Sequence, residues 1–191
     1  MPTDAVEKLA EFDGIWVAPG MPYRNAEGVL GAIRHARLTL TPFLGTSAGF
    51  QYALIEVARN VLGLTEAEHQ KSNPAAHTPL ISKLDAALVR MRGRVRFGGG
   101  TVIRRAYGAP EAVEEYHCSF GLNPRYRRLI EGPLTVSGVD DQDEVRAVEL
   151  DRHPFFVATL FLPEMNADSP LVRAFATACA RESQVRAKAA S

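Results

Sequence analysis

The segment PFLGTSAGFQYALIEVARNVLG, residues 42–63, restricts the fold of this chain more than any other segment. A short apolar stretch ends in Gly-Thr-Ser-Ala-Gly at residues 45–49. An amphipathic helix is predicted to follow at once and to stop near Gly63. Two glycines around a serine, between a strand and a helix, are typical of a nucleophile elbow, the sharp turn that exposes a nucleophile above a sheet. This succession indicates an α/β protein.

The rest of the chain continues the alternation of strands and helices. Strands are predicted at residues 12–19, 40–44, 134–138, 145–150 and 155–161. Helices are predicted at residues 27–38, 50–62 and 171–187. Residues 65–78 are predicted to be a polar loop, and residues 94–97 and 101–105 are predicted to form an antiparallel hairpin around three glycines. We expect one α/β domain over residues 1–191, with a parallel sheet flanked by helices.

Composition limits the partners and the compartment. The chain has 22 Lys and Arg against 22 Asp and Glu, and this zero formal net charge favours neither nucleic acid nor an anionic membrane as a partner, while it does little to oppose a homo-oligomer. Cys118 and Cys179 form no CxxC pair, which suits a reduced compartment. There is no signal-peptide pattern and no apolar run of about 18 residues. We expect a cytoplasmic protein without metal or other cofactor.

An elbow serine needs further groups before it can act as a nucleophile. The backbone N–H of Ala48 would point at a developing oxyanion near the helix N-terminus. A general base must take the proton of Ser47, and a third group must orient that base. His117, in EEYHCSFG, is the candidate base, whereas His153 precedes Pro-Phe-Phe and is expected to be structural. The alternative is that Ser47 only caps the helix.

Several stretches resemble the class I glutamine amidotransferases, in particular the glutaminase domain of CTP synthase and the stand-alone CTP synthase C-terminal region-related proteins, some of which are selenoproteins. The stretches are FDGIWVAPG, EGVLGAIRHAR, PFLGTSAGFQYALIEVARNVLG, YHCSFGLNPRY and SGVDDQDEVRAVELDRHPFFVATLFLPE. The resemblance implies the flavodoxin-like sheet of that family, with its first strand and helix missing before FDGI. A late start codon or pairing with another chain would account for that difference.

The same resemblance implies a degenerate catalytic triad. The family's nucleophilic cysteine corresponds to Ser47, and its histidine base corresponds to Leu162. Its orienting glutamate is kept as Glu164. Serine has a much higher pKa than cysteine and leucine cannot accept a proton, so we expect no effective glutaminase activity.

The substrate-binding groups implied by the resemblance are partly kept. The family's second oxyanion donor lies in a Pro-Gly-Gly loop, where this chain has Gly20 and then Met21 in place of the second glycine. Gln51 keeps a glutamine that helps to hold substrate, beside the Ala48 N–H. Cys118 stands where CTP synthases usually carry His or Arg, and it is an alternative nucleophile or a small core residue.

Three functions remain open on this basis. The first is a pseudoenzyme that binds a synthase partner or a small ligand, for which the resemblance implies a glutamine-like compound. The second is a serine-dependent hydrolase or transferase, because the GTSAG elbow also resembles that of peptidase E and cyanophycinase. The third is a residual CTP synthase-related amidotransferase that uses another base, or one whose cysteine was deliberately changed to serine. No GxxxxGK[ST] pattern occurs, so we expect another protein to consume any ammonia.

Overall fold

The computed structural model describes residues 8–189, which are built around an eight-stranded sheet. The strands are β1 (Ile15–Val17), β2 (Phe43–Thr46), β3 (Ala67–His69), β4 (Thr78–Phe97), β5 (Glu111–Leu122), β6 (Thr135–Val139), β7 (Val145–Glu149) and β8 (Phe156–Thr159). Their order is β1-β2-β8-β7-β6-β4-β3, and β5 pairs with β4. The helices are α1 (Ala26–Thr39), α2 (Ala48–Asn60), α3 (Val102–Tyr107), α4 (Arg127–Ile130) and α5 (Pro170–Ala189).

The sheet is mixed, with its parallel part at the elbow. Strands β1, β2 and β8 run parallel to one another, and β3 is parallel to β4, whereas β4–β5, β4–β6, β6–β7 and β7–β8 are antiparallel pairs. The predicted α/β sheet with flanking helices is therefore confirmed, although less of it is parallel than predicted. No helix within the described residues is long and apolar enough to cross a membrane.

Two local predictions in the middle of the chain were wrong. The predicted loop at 65–78 contains β3, and the predicted strand at 101–105 lies largely in α3. The hairpin partner of β4 is instead β5. Helix α3 forms because the Thr101 Oγ1 accepts the Arg104 N–H at 3.2 Å and the Glu149 carboxylate accepts the N–H groups of Val102 and Ile103 at 2.7 and 2.8 Å. Glu149 comes from β7, so the local sequence contains no sign of this cap.

Helix α2 is packed on nearly all sides, which fixes the elbow at its N-terminus. Every residue from 48 to 58 is buried. One polar residue inside this helix, Glu56, is 0% exposed and makes two hydrogen bonds, at 2.7 and 2.9 Å, with the Arg37 guanidinium of α1. This bidentate pair satisfies both carboxylate oxygens and ties the two helices together.

Candidate functional site

The elbow between β2 and α2 is present and strained. Ser47 has φ 53° and ψ −105°, a conformation that residues with a side chain rarely adopt. Its N–H donates to the Thr159 carbonyl of β8 at 2.8 Å, which holds the turn against the sheet. Gly49 packs so closely on β1 that a Cβ there would lie 2.1 Å from the Val17 oxygen. The hydroxyl of Ser47 makes no capping bond, so its side chain does not cap the helix, contrary to the alternative considered from the sequence.

The Ser47 hydroxyl is paired with a thiol. Its Oγ lies 2.9 Å from the Cys118 Sγ, which comes from β5. The Cys118 thiol donates to the Leu160 carbonyl at 3.5 Å, and in that arrangement the Ser47 hydroxyl donates to the sulfur. Burial raises the pKa of the Cys118 thiol, and the hydrogen bond from Ser47 opposes this only in part. The pair is therefore neutral near pH 7.

The candidate base His117 forms no hydrogen bond with Ser47 in this structure. Neighbouring residues of a strand point to opposite faces, so the exposed His117 is turned away from the buried Cys118. Among residues 8–189, no histidine forms a hydrogen bond with Ser47. His153 is buried, with its Nε2 3.0 Å from the Ala36 carbonyl and its Nδ1 accepting the Phe155 N–H, which confirms the structural role predicted for it.

Glu164 and Leu162 lie beside the elbow, as the resemblance implies. The Thr46 hydroxyl donates to the Glu164 Oε1 at 3.0 Å, and the Trp16 indole N–H donates to the same hydroxyl at 3.2 Å. The Glu164 Oε2 is buried, and within the described part of the chain no donor reaches it. Burial raises the pKa of this carboxyl group. Glu164 is thus an oriented carboxyl group two residues from Leu162. Its Oε2 lacks the N–H that a histidine at residue 162 would donate.

Gln51 is held by two protein groups. Its Nε2 donates to the Phe120 carbonyl at 2.8 Å, and its Oε1 lies 3.0 Å from the His69 Nε2. The His69 Nδ1 accepts the Lys71 N–H at 3.1 Å, so the imidazole proton is on Nε2 and is donated to Gln51. Burial, together with the charge of Lys71, lowers the pKa of His69 to about 4. His69 is therefore a neutral support for Gln51. The sequence had placed His69 in the predicted loop at residues 65–78.

One cavity of about 980 Å³ brings these residues together. All the predicted site residues line it, namely Gly20, Met21, Ser47, Ala48, Gln51, His117, Leu162 and Glu164. Cys118, His69 and three basic residues, Lys71, Arg90 and Arg92, also line it. The basic residues were missed because nothing in the sequence places residues 71, 90 and 92 near residue 47. The cavity lies near the upper end of the size range that is usual for ligand sites.

Comparison with known proteins identifies the family. The family model for glutamine amidotransferase class-I matches residues 1–170. The CTP synthase of Sulfurisphaera tokodaii is 37% identical over 191 residues, which cover 93% of this chain and 36% of that protein. The CTP synthase of Rubrobacter xylanophilus is 36% identical, with 93% of this chain and 35% of that protein covered. The chain thus spans about a third of the length of these relatives.

Solved structures agree in fold. The glutaminase domain of Trypanosoma brucei CTPS with bound acivicin superposes with a TM-score of 0.87 at 27% identity, covering 93% of this chain and 75% of that chain. A glutamine amidotransferase from Thermotoga maritima superposes with a TM-score of 0.58 at 13% identity, covering 92% of this chain and 67% of that chain, and shows the fold alone. By sequence and fold, the chain belongs to the class I glutamine amidotransferase family and is related to the glutaminase domain of CTP synthases.

Proposed function

We propose that this chain is a ligand-binding member of its family that does not hydrolyse glutamine at Ser47. The observation that carries the proposal is the partner of Ser47, which is the Cys118 thiol at 2.9 Å. A thiol whose pKa is raised by burial is a poor acceptor for the serine proton at neutral pH. Leu162 stands at the position of the family's base and has no group that could take a proton.

The expected loss of rate is large. In other hydrolases, removing the nucleophile or the base of a triad lowers the rate by about 10⁴- to 10⁶-fold, and the losses are not additive because the residues act as a unit. Two of three triad positions differ here from the family's Cys-His-Glu. What is kept is the geometry for binding: the N-terminus of α2 at Ala48, the Gln51 side chain held in place, and a cavity large enough for a metabolite.

The ligand that we propose is small and resembles an acid or an amide, because the relatives belong to a glutamine-using family and acivicin occupies the Trypanosoma brucei domain. The relatives are CTP synthases, and this chain covers about a third of their length. A synthase-like protein, or a second copy of this chain, is the macromolecular partner that this relationship favours. We propose no catalytic role for a metal or cofactor.

A rescue experiment tests the proposal. Ammonia release from glutamine is measured for the parent protein and for Ser47→Cys, Leu162→His and the double variant. The parent and Ser47→Cys should release no ammonia above the buffer rate, and Leu162→His, which restores the base but keeps the weaker serine nucleophile, should release much less than the double variant. The double variant should gain activity, because an imidazole at residue 162 could donate its N–H to the unpaired Glu164 Oε2 and act as base for the new thiol. Ammonia release by the parent that disappears in Ser47→Ala would overturn the proposal.

The strained elbow favours a second candidate, the serine-dependent hydrolase. A non-glycine residue with φ 53° at a strand-to-helix turn is costly to keep, and such strain is common at working nucleophiles. Labelling with a fluorophosphonate probe, read by intact mass, distinguishes the two candidates, with Ser47→Ala as control. We expect no adduct on folded protein. A Ser47-dependent adduct would establish an activated serine and turn attention to its base.

A further inference from the structure

Three basic residues, which together we call the basic wall, line the elbow cavity. Lys71 follows β3, and Arg90 and Arg92 lie on β4. All three are exposed. Within the described residues, none of them has a carboxylate within ion-pair distance, whereas Arg94 on the same strand pairs with Asp141 at 3.0 Å.

A β-bulge lies on β4 where its two arginines line the cavity. Val89 pairs with His117 and Met91 pairs with Tyr116, so Arg90 is an extra residue on β4 without a partner on β5. Arg90 has φ 52°, the left-handed conformation that a side chain makes costly. The four consecutive residues from 89 to 92 line the cavity, and both arginines are among them.

The acidic residues of the cavity compensate this charge only in part. Glu115 and Glu164 also line it, but burial raises the pKa of Glu164 and reduces its share of negative charge. Arg92 lies near enough to Glu114 to lower the pKa of that carboxyl, yet not within ion-pair distance. At the elbow, the N-terminus of the 13-residue helix α2 has no side-chain cap and adds partial positive charge. Positive potential thus lies at two places in one cavity.

We propose that the cavity binds a small ligand with two anionic charges, one at the α2 N-terminus and one at the wall of Lys71, Arg90 and Arg92. This inference rests on the proposed function, since it names the class of ligand for the same cavity. A dicarboxylate and a phosphate-bearing metabolite share this chemistry. A neutral amide leaves the basic wall unpaired, and a zwitterion brings an ammonium group that this wall repels.

A charge series on one carbon skeleton tests the inference. Glutarate, 5-amino-5-oxopentanoate and glutaramide carry two, one and no negative charges, and their affinities are measured by calorimetry, with inorganic phosphate as a separate probe. Affinity should fall in that order, with glutarate at least about tenfold tighter than glutaramide, and the glutarate affinity should weaken as salt is raised from about 50 to about 300 mM.

Variants of the two arginines test whether the basic wall causes the preference for an anionic ligand. Arg90→Gln and Arg92→Gln should each weaken glutarate binding by about three- to tenfold and leave glutaramide unchanged. Arg94→Gln is the matched control, because Arg94 lies on the same strand but is paired with Asp141 outside this cavity, and it should change neither affinity. Phosphate binding that depends on Arg90, without glutarate binding, would support the same anionic site and identify phosphate as the group it takes.

Three results would overturn the inference: equal affinity for glutarate and glutaramide, loss of binding in Arg94→Gln as large as in Arg90→Gln, or no binding of any probe by the folded protein. The proposed function fails on a different result, because ammonia release from glutamine by the parent does not depend on this charge series. Preference for glutaramide without ammonia release would overturn only the inference about the anionic ligand.

Discussion

Replacing Gly49 with alanine tests the elbow through a single added methyl group. Gly49 is the second residue of α2, so helix propensity alone favours alanine by about 0.5–1 kcal/mol. The tertiary contact acts in the opposite direction. The added Cβ would lie 2.1 Å from the Val17 oxygen, and real Cβ atoms essentially never approach below 3.0 Å. Strand β1 and helix α2 would therefore have to separate by about 0.9 Å.

The cost of that separation exceeds the gain in propensity. Overpacking a well-packed region costs about 1–3 kcal/mol, and the upper end applies because the opposing atom belongs to backbone that is fixed by the pairing of β1 with β2. After the helix gain is subtracted, Gly49→Ala should lose about 2 kcal/mol of unfolding free energy. For a chain of this size the melting temperature should fall by about 4–8 °C.

Thermal and urea unfolding measure the effect, with Gly99→Ala as the control. A Cβ at Gly99 meets nothing within 4 Å, so that variant should stay within about 0.5 kcal/mol of the parent. If Gly49→Ala is as stable as the parent, or more stable, the close approach of α2 to β1 is incorrect and the description of the elbow must be revised.

Three further perturbations have defined outcomes. Glu56→Gln should cost about 3 kcal/mol in urea unfolding, because it leaves the Arg37 guanidinium without its buried carboxylate; a loss below about 1 kcal/mol would contradict this. The pKa of His69 is lowered to about 4 in the folded protein, so its contribution to stability should fall by about 3 kcal/mol as the pH drops from 6.5 to 4, and His69→Gln should flatten the profile of unfolding free energy against pH over that range. The pKa of Glu164 is raised in the folded protein, so its contribution to stability is present at low pH and is lost as the pH rises through the folded pKa. The difference in unfolding free energy between Glu164→Gln and the parent should therefore be more favourable to the variant at pH 8 than at pH 4. An equal difference at both pH values would contradict the burial of this carboxyl group.

Local sequence patterns predicted the elements that define the elbow. The Gly-Thr-Ser-Ala-Gly turn, the strand before it and the helix after it depend on contacts between near neighbours, and the structure has all three. The boundaries moved by a few residues, since β2 reaches Thr46 and α2 begins at Ala48. Local pattern failed at α3, whose first turn is completed by the Glu149 carboxylate from β7.

The sequence by itself indicated which family the chain resembles, and it predicted Ser47 at the nucleophile position and Leu162 at the position of the family's base. The tertiary structure alone decided what surrounds that position. Ser47 meets Cys118, which is 71 residues away, because the register of β5 turns Cys118 inwards and His117 outwards, and a shift of one residue would reverse this. Arg90 has no partner on β5 because of a bulge whose position depends on how β4 pairs with β5. Such pairings are set by the packing of the whole sheet, and no short stretch of sequence records them.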